Sequence, residues 1–126
     1  MEKYNYQFGI LGEKIAVNYL IKNNYNVIEK NFYCKQGEID IIAEEKGKSE
    51  IIFIEVKTRS NLKYGEPKDA VTIKKRKHMY KTAKYYLYKN YKFNNFIRFD
   101  VIEIFISDGK CKVEHIKNIE MSWKKE

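Results

Sequence analysis

Gly37-Glu38-Ile39-Asp40-Ile41-Ile42-Ala43 and, after seven intervening residues, Ile51-Ile52-Phe53-Ile54-Glu55-Val56-Lys57 decide how this chain folds. Both runs are short and rich in Ile, with Val and Phe, the composition of buried strands. The break between them, Glu44-Glu45-Lys46-Gly47-Lys48-Ser49-Glu50, is polar and contains a glycine, so the pair reads as a β-hairpin. The simplest register turns at Gly47-Lys48, with glycine supplying the positive φ of a type II′ turn. Alternate residues of a strand share a face. Glu38 and Asp40 then point together, as do Glu55 and Lys57. Ile39, Ile41 and Ala43 on one strand, and Ile52, Ile54 and Val56 on the other, take the opposite faces. In this register Asp40 lies across from Glu55 and Glu38 across from Lys57, with facing Cβ atoms about 5 Å apart.

Charges on otherwise apolar strands need partners, because an unpaired buried charge costs several kcal/mol. Two facing carboxylates repel, and such a pair is kept mainly to hold a cation or share a proton. Oxygen donors of this kind suit Mg²⁺ or Mn²⁺, which take one or two carboxylates and keep several waters. A neighbouring Lys57 can orient or deprotonate a metal-bound water and stabilise charge on a phosphate. The same pattern also fits an exposed sheet face with cross-strand pairs such as Glu38–Lys57.

Outward from the hairpin, residues from about Tyr6 to Asn23 read as a helix that Asn23-Asn24 stops. Ile10, Ala16, Val17 and Leu20 cluster at helical spacing. Glu13 falls in the stripe of Gly9, Ile10, Ala16, Val17 and Leu20, the one charge on that face. It is either a third carboxylate aimed at the hairpin or an edge residue reaching water. Asn26 to Phe32 reads as a short strand. A second helix runs from about Ile73 to Asn90, with Thr72 a plausible N-cap. Asn94-Asn95 precedes a strand from about Phe96 to Ile106, and Asp108-Gly109 turns the chain into a last strand near Lys112 to Ile116. The order α-β-β-β-α-β-β predicts a mixed sheet flanked by helices, an α/β (α+β) fold. With 126 residues, one proline and no repeat or linker, residues 1–126 read as a single domain.

The net charge is +8, and between Lys68 and Lys92 nine cations stand against Asp69 alone, so this one segment accounts for all of it. Such asymmetry points to a polyanion as partner, nucleic acid first and a membrane surface second. Lys74, Lys77, Lys81 and Lys84 succeed one another at spacings of three and four, with Tyr85 and Tyr88 extending that face. Thr72, Met79, Ala83, Tyr86 and Leu87 supply the apolar face. A lysine row interleaved with tyrosines can neutralise phosphates and offer stacking surfaces; the plainer reading is a solvated helix exterior. Arg59 would contact phosphate or pair with Glu38. The stretch Ser60-Asn61-Leu62-Lys63-Tyr64-Gly65 leaves the Glu-x-Lys strand and is placed to touch substrate. Glu66 and Asp69 read as solvated. No apolar run approaches the roughly 20 residues of a membrane span, and Met1-Glu2-Lys3-Tyr4-Asn5-Tyr6 lacks the character of a signal peptide. Cys34 and Cys111, without a Cys-x-x-Cys spacing, read as reduced thiols of a cytoplasmic protein.

Gly12-Glu13-x-x-Ala16, Gly37-Glu38-Ile39-Asp40, Glu55-Val56-Lys57-Thr58-Arg59 and Tyr64-Gly65-Glu66-Pro67 followed by Ala70-Val71-Thr72, in this order, resemble the YraN family of small bacterial proteins. That family is similar to the archaeal Holliday-junction resolvases and belongs to the PD-(D/E)xK nucleases. Here Ile39 stands where the superfamily name has Pro. The resemblance implies a restriction-endonuclease-like core and metal-dependent cleavage of phosphodiester bonds. By position it makes Asp40 and Glu55, with the Val56 carbonyl, ligands of Mg²⁺ or Mn²⁺. Lys57 becomes the residue that positions or activates water, Glu13 an auxiliary carboxylate, and Glu38 a residue that supports the ligands from behind.

The leading expectation is therefore a nuclease acting on DNA, of branched or flapped structure. The alternative is a nucleic-acid-binding module on the same fold with little turnover. Docking of the basic helix on a membrane is disfavoured, because its aromatic residues are Tyr rather than the Leu, Phe and Trp of an interfacial face. Junction resolution would call for a homodimer, and no dimer seam is legible.

Overall fold

Seven elements follow one another in the computed structural model, which describes residues 2–60, 72–92 and 94–121. They are α1 (Glu2–Lys22), β1 (Tyr25–Cys34), β2 (Gly37–Glu45), β3 (Glu50–Arg59), α2 (Ile73–Lys89), β4 (Phe96–Ser107) and β5 (Lys110–Ile116). This is the predicted order. The five strands form one sheet in the order β1-β2-β3-β4-β5. Only the β3–β4 pair is parallel, and it is the pair that α2 connects; the other pairs are antiparallel. Asn61 to Gly65, Glu66, Lys68, Asp69 and the Tyr64-Gly65-Glu66-Pro67 and Ala70-Val71 motifs lie outside the described residues.

A helix covers each face of the sheet. Ala16 and Leu20 of α1 pack on Ile41, Ala43, Ile52, Ile54, Ile102 and Ile104. On the other face Met79, Ala83, Tyr86 and Leu87 of α2 pack on Phe32, Ile39, Ile42, Phe53, Phe99 and Val101. At roughly 1.5–3 kcal/mol per buried large side chain, these two layers are the main attraction holding the fold together. Thr72 caps α2, accepting a hydrogen bond from the Lys75 N–H at 3.1 Å. It is exposed, so it does not belong to the apolar face assigned to it from spacing; the buried threonine is Thr82. Ile10 is also off its expected stripe, 39% exposed, because it faces a groove beside β1 rather than the core. Gly12 sits where α1 crosses β3, so close that a Cβ there would overlap the Thr58 side chain.

The expected register of the central hairpin is present, with Ile41↔Ile54, Ile42↔Phe53, Ala43↔Ile52 and Glu44↔Ile51. Its turn differs from the type II′ expectation. The Lys48 N–H bonds the Glu45 carbonyl at 3.0 Å, and Gly47 has φ +85°. Lys46 and Gly47 are thus the central pair, and glycine occupies the second central position, where a left-handed residue is needed. At Asp108-Gly109 both residues have positive φ, 51° and 73°, the signature of the predicted two-residue hairpin turn.

A second departure shapes the site. Ile39, Ile41 and Ala43 should share a face, yet Ile39 packs on the α2 side and Ile41 and Ala43 on the α1 side. The alternation therefore slips by one at Asp40. On β1 the rung opposite is missing, between Lys30↔Ile41 and Phe32↔Ile39, and the residue there, Asn31, has φ +52°. Asn is among the few side chains that adopt this left-handed conformation readily.

Among the described residues no helix is long and apolar enough to cross a membrane. Cys34 and Cys111 are both free.

Candidate active site

The β2–β3 ladder ends at Ile41↔Ile54, although both strands run on. β2 stays paired with β1 as far as Cys34↔Gly37, and β3 with β4 as far as Arg59↔Phe105. The sheet forks here. Asp40 sits at the crotch, and its Oδ2 accepts the Val56 N–H at 2.8 Å, a donor that ladder pairing would otherwise use. An extended residue's N–H and C=O leave the strand on one side, so the Val56 carbonyl opens toward the same gap. The expected facing of Asp40 and Glu55 is thus replaced by a fork in which Asp40 reaches across to the backbone beside Glu55. Glu38 and Lys57 lie beyond the last rung and are not a ladder pair.

A cleft of about 290 Å³ opens at the fork, lined by Glu13, Glu38, Asp40, Glu55, Val56 and Lys75 together with Phe8, Gly9 and Thr58. The sheet brings Asp40 and Glu55 together; α1 adds Glu13 from one side and α2 adds Lys75 from the other. Glu55 is 4% exposed. Its Oε2 lies 3.7 Å from Lys57 Nζ and its Oε1 3.5 Å from Lys75 Nζ. Oε1 nevertheless has no hydrogen bond, so the Lys75 contact is Coulombic, without the geometry of a donor bond. Burial pushes the Glu55 carboxyl up to about 7, and the Asp40 charge adds to the rise against the pull of Lys75 and Lys57. Burial and then the Asp40 charge also raise Glu13, while a hydrogen bond from the Asn31 side chain opposes them.

The donor set fits a hard divalent cation. Two neighbouring carboxylates, one with an unpartnered buried oxygen, and a backbone carbonyl match an ion that retains most of its waters. Among the described residues no group of three or more His, Cys, Asp or Glu side chains is placed to hold a metal, so Glu13 lines the cleft without completing a cage. Glu38 is exposed on the rim.

A sequence profile of UPF0102, described as an uncharacterised protein family, matches residues 12–104. The chain belongs to the UPF0102 family. It is 49% identical over 114 residues to a UPF0102 protein of Clostridioides difficile, covering 90% of this chain and 96% of that one. It is 46% identical over 121 residues to a UPF0102 protein of Clostridium perfringens, covering 94% and 97%. A UPF0102 protein of Caldicellulosiruptor bescii is 46% identical over 114 residues, covering 90% and 93%. The matched span of this UPF0102 chain holds Glu13, Asp40, Glu55, Lys57 and all of α2.

The basic row on α2 has the exposure expected of it: Lys74, Lys77, Lys81 and Lys84 all face solvent. Tyr88 is 73% exposed, whereas Tyr85, at 43%, is stacked on Phe32 with ring centroids 6.3 Å apart. Arg59 does not stand free to choose between phosphate and Glu38: its Nε meets Glu103 Oε1 at 2.8 Å. Glu103 is fully buried, and its Oε2 lacks a hydrogen bond.

Sequence reasoning gave no site role to Lys75 or Glu103, yet each leaves a signal. Lys75 heads the spacing Met79, Thr82, Ala83, Tyr86 and so stands on the buried stripe of α2, one step off the solvent row. Glu103 is the one charge in Val101-Ile102-Glu103-Ile104-Phe105. A second polar cluster also went unread. Asp100 Oδ2 lies 2.7 Å from His115 Nε2, and its Oδ1 accepts from Arg98 Nε at 3.0 Å and the Asn118 N–H at 2.8 Å. Burial pushes Asp100 up, but these bonds outweigh it and hold the carboxyl below its ordinary value. Through His115 and Arg98 this cluster ties β5 and β4 to the Tyr19 hydroxyl of α1 and the Tyr25 hydroxyl of β1.

Proposed function

We propose that this UPF0102 chain is a Mg²⁺- or Mn²⁺-dependent endonuclease that hydrolyses DNA phosphodiester bonds, with branched or flapped DNA as the preferred structure. The observation that carries the reading is the fork: a sheet gives up its ladder to aim Asp40 and a buried, incompletely partnered Glu55 into a cleft flanked by two lysines. The YraN resemblance and the PD-(D/E)xK order of these residues point the same way.

Asp40, Glu55 and the Val56 carbonyl would hold the ion, which when bound polarises the scissile phosphate. Asp40 is fixed for this by the Val56 N–H. Glu55 gives up the proton that burial and Asp40 favour before it serves as a charged ligand. Lys57, 38% exposed at its side chain, reaches solvent and orients the attacking water or the phosphate oxygen it approaches. Lys75 faces it across Glu55 and adds positive charge where a phosphate enters. The lysine row of α2 neutralises the flanking backbone. Its contacts are to phosphate and carry no base sequence, so selection is by shape.

A second reading, a binding module with little turnover, draws on the two lysines beside Glu55, which balance its charge without an ion. Labelled single-stranded, duplex and four-way-junction DNA, incubated with Mn²⁺ or EDTA, separates the two. The nuclease reading expects Mn²⁺-dependent products that vanish in Asp40→Ala and Lys57→Ala. Absence of products, or their survival in both variants, rejects it. Binding that then persists in Asp40→Ala and falls in Lys74→Glu/Lys81→Glu identifies the module.

A further inference from the structure

We infer that the groove between α1 and β1 seats an unpaired DNA strand leaving the cleft, so that the preferred substrate is a junction of double- and single-stranded DNA. This inference rests on the nuclease reading and specifies its substrate.

The groove has a volume of about 530 Å³, larger than the cleft, and is lined by Ile10, Lys14, Val17, Lys30 and Asn31. Glu13 lines both hollows, so the two adjoin at this residue. Its chemistry is mixed in a particular way. Ile10 and Val17 give an apolar floor, while exposed Lys14 and Lys30 stand on α1 and β1 at either side. Asn31, in its left-handed conformation, turns its side chain toward Glu13 at the point where groove meets cleft. A duplex offers a protein phosphates and base edges; the apolar base faces are stacked inside it. Only an unpaired nucleotide can lay a base face on an apolar floor while its phosphates reach lysines on both walls.

The groove is also placed where such a strand would emerge. The α2 lysine row, suited to the phosphates of a duplex, lies on one face of the sheet, and the groove lies on the face that α1 covers. The fork is where the two faces communicate, because the cleft takes residues from both helices. A substrate spanning both surfaces has its duplex on α2 and its unpaired strand against α1, with the change from paired to unpaired near Asp40.

Fluorescence anisotropy of the full chain in EDTA, where no cutting occurs, tests this with a blunt duplex, the same duplex bearing a single-stranded overhang, and the single strand alone. The expected result is tighter binding of the overhang than of the blunt duplex. Lys14→Glu/Lys30→Glu should weaken overhang and single-strand binding about tenfold, with less than about a twofold change for the blunt duplex. Ile10→Asp, at an exposed position, should act in the same direction, whereas Lys110→Glu/Lys112→Glu on β5, at the opposite edge of the sheet, should keep the overhang preference. Circular dichroism confirms that each variant is folded. Equal weakening on all three DNAs, or no preference for the overhang in the wild type, overturns the groove assignment. If the blunt duplex is bound, and is cut once Mn²⁺ is supplied, while the groove variants change no affinity, this inference falls and the nuclease reading stands. If no DNA is bound, both fall.

Discussion

Replacing Glu55 by Gln isolates the buried carboxyl that defines the cleft. In the folded protein Glu55 titrates at about 7, raised from an ordinary 4.5. The folded state therefore binds a proton more tightly than the unfolded chain, so stability falls as pH rises between the two values. The contribution is fully present below about 4.5 and is lost as pH passes through about 7. The interval of about 2.5 pH units at 1.36 kcal/mol each gives on the order of 3 kcal/mol. For a chain of this size that corresponds to roughly 10 °C in Tm. Thermal melts of the metal-free protein at pH 5, 6, 7 and 8 should show this decline in the wild type and a flatter profile in Glu55→Gln. The neutral amide matches the protonated shape, so the variant should be the more stable protein at pH 8. Mn²⁺ should raise the wild-type Tm at pH 8, because an ion bound only to the folded state stabilises it by mass action, and should do so little in Glu55→Gln. Parallel pH profiles for the two proteins would refute the burial argument; an equal Mn²⁺ shift in both would refute Glu55 as a ligand.

Gly12→Ala should cost about 1–3 kcal/mol by driving a methyl into Thr58, and Thr58→Ala in the same chain should recover much of it, read by denaturant unfolding. Asp100→Ala leaves Arg98 and His115 without the carboxylate they share and should lower stability by on the order of 3–5 kcal/mol at pH 7. Because Asp100 titrates below its ordinary value, its stabilisation is present above that value and disappears as pH falls. Acid titration of unfolding should then be steeper in the wild type than in Asp100→Ala. Lys74→Ala/Lys81→Ala on the proposed DNA face should weaken duplex binding and reduce the slope of log affinity against log salt by about 2; an unchanged slope would remove these lysines from the contact.

How far the chain could be read depended on the range of the interactions involved. The β2–β3 register was legible because a seven-residue break and two alternating runs restrict it locally. The slip at Asp40 was not, because its counterpart is Asn31 on another strand, and one left-handed residue is invisible to a pattern of alternation. The solvent row of α2 was legible from spacing, whereas Lys75 was submerged in a run of cations until Met79 and Tyr86 showed which stripe it heads. Glu13 stood out as a charge on an apolar stripe, and the cleft accounts for it. The Asp100 cluster gathers side chains 96 positions apart in the case of Tyr19 and His115, and no local signal marks such a meeting.

The fork also bears on when the site comes into being. α1 is the first element made, yet it packs on β3 and on β4, which is made sixth of seven. The strands that carry Asp40 and Glu55 can pair early, but the parallel β3–β4 rungs await nearly the whole chain. A ribosome-bound fragment ending before β4 would carry every residue that lines the cleft but not the strand that pairs with β3 along its other edge. The lining of the cleft is thus made before the strand that braces it, and its geometry is set only once β4 has joined β3.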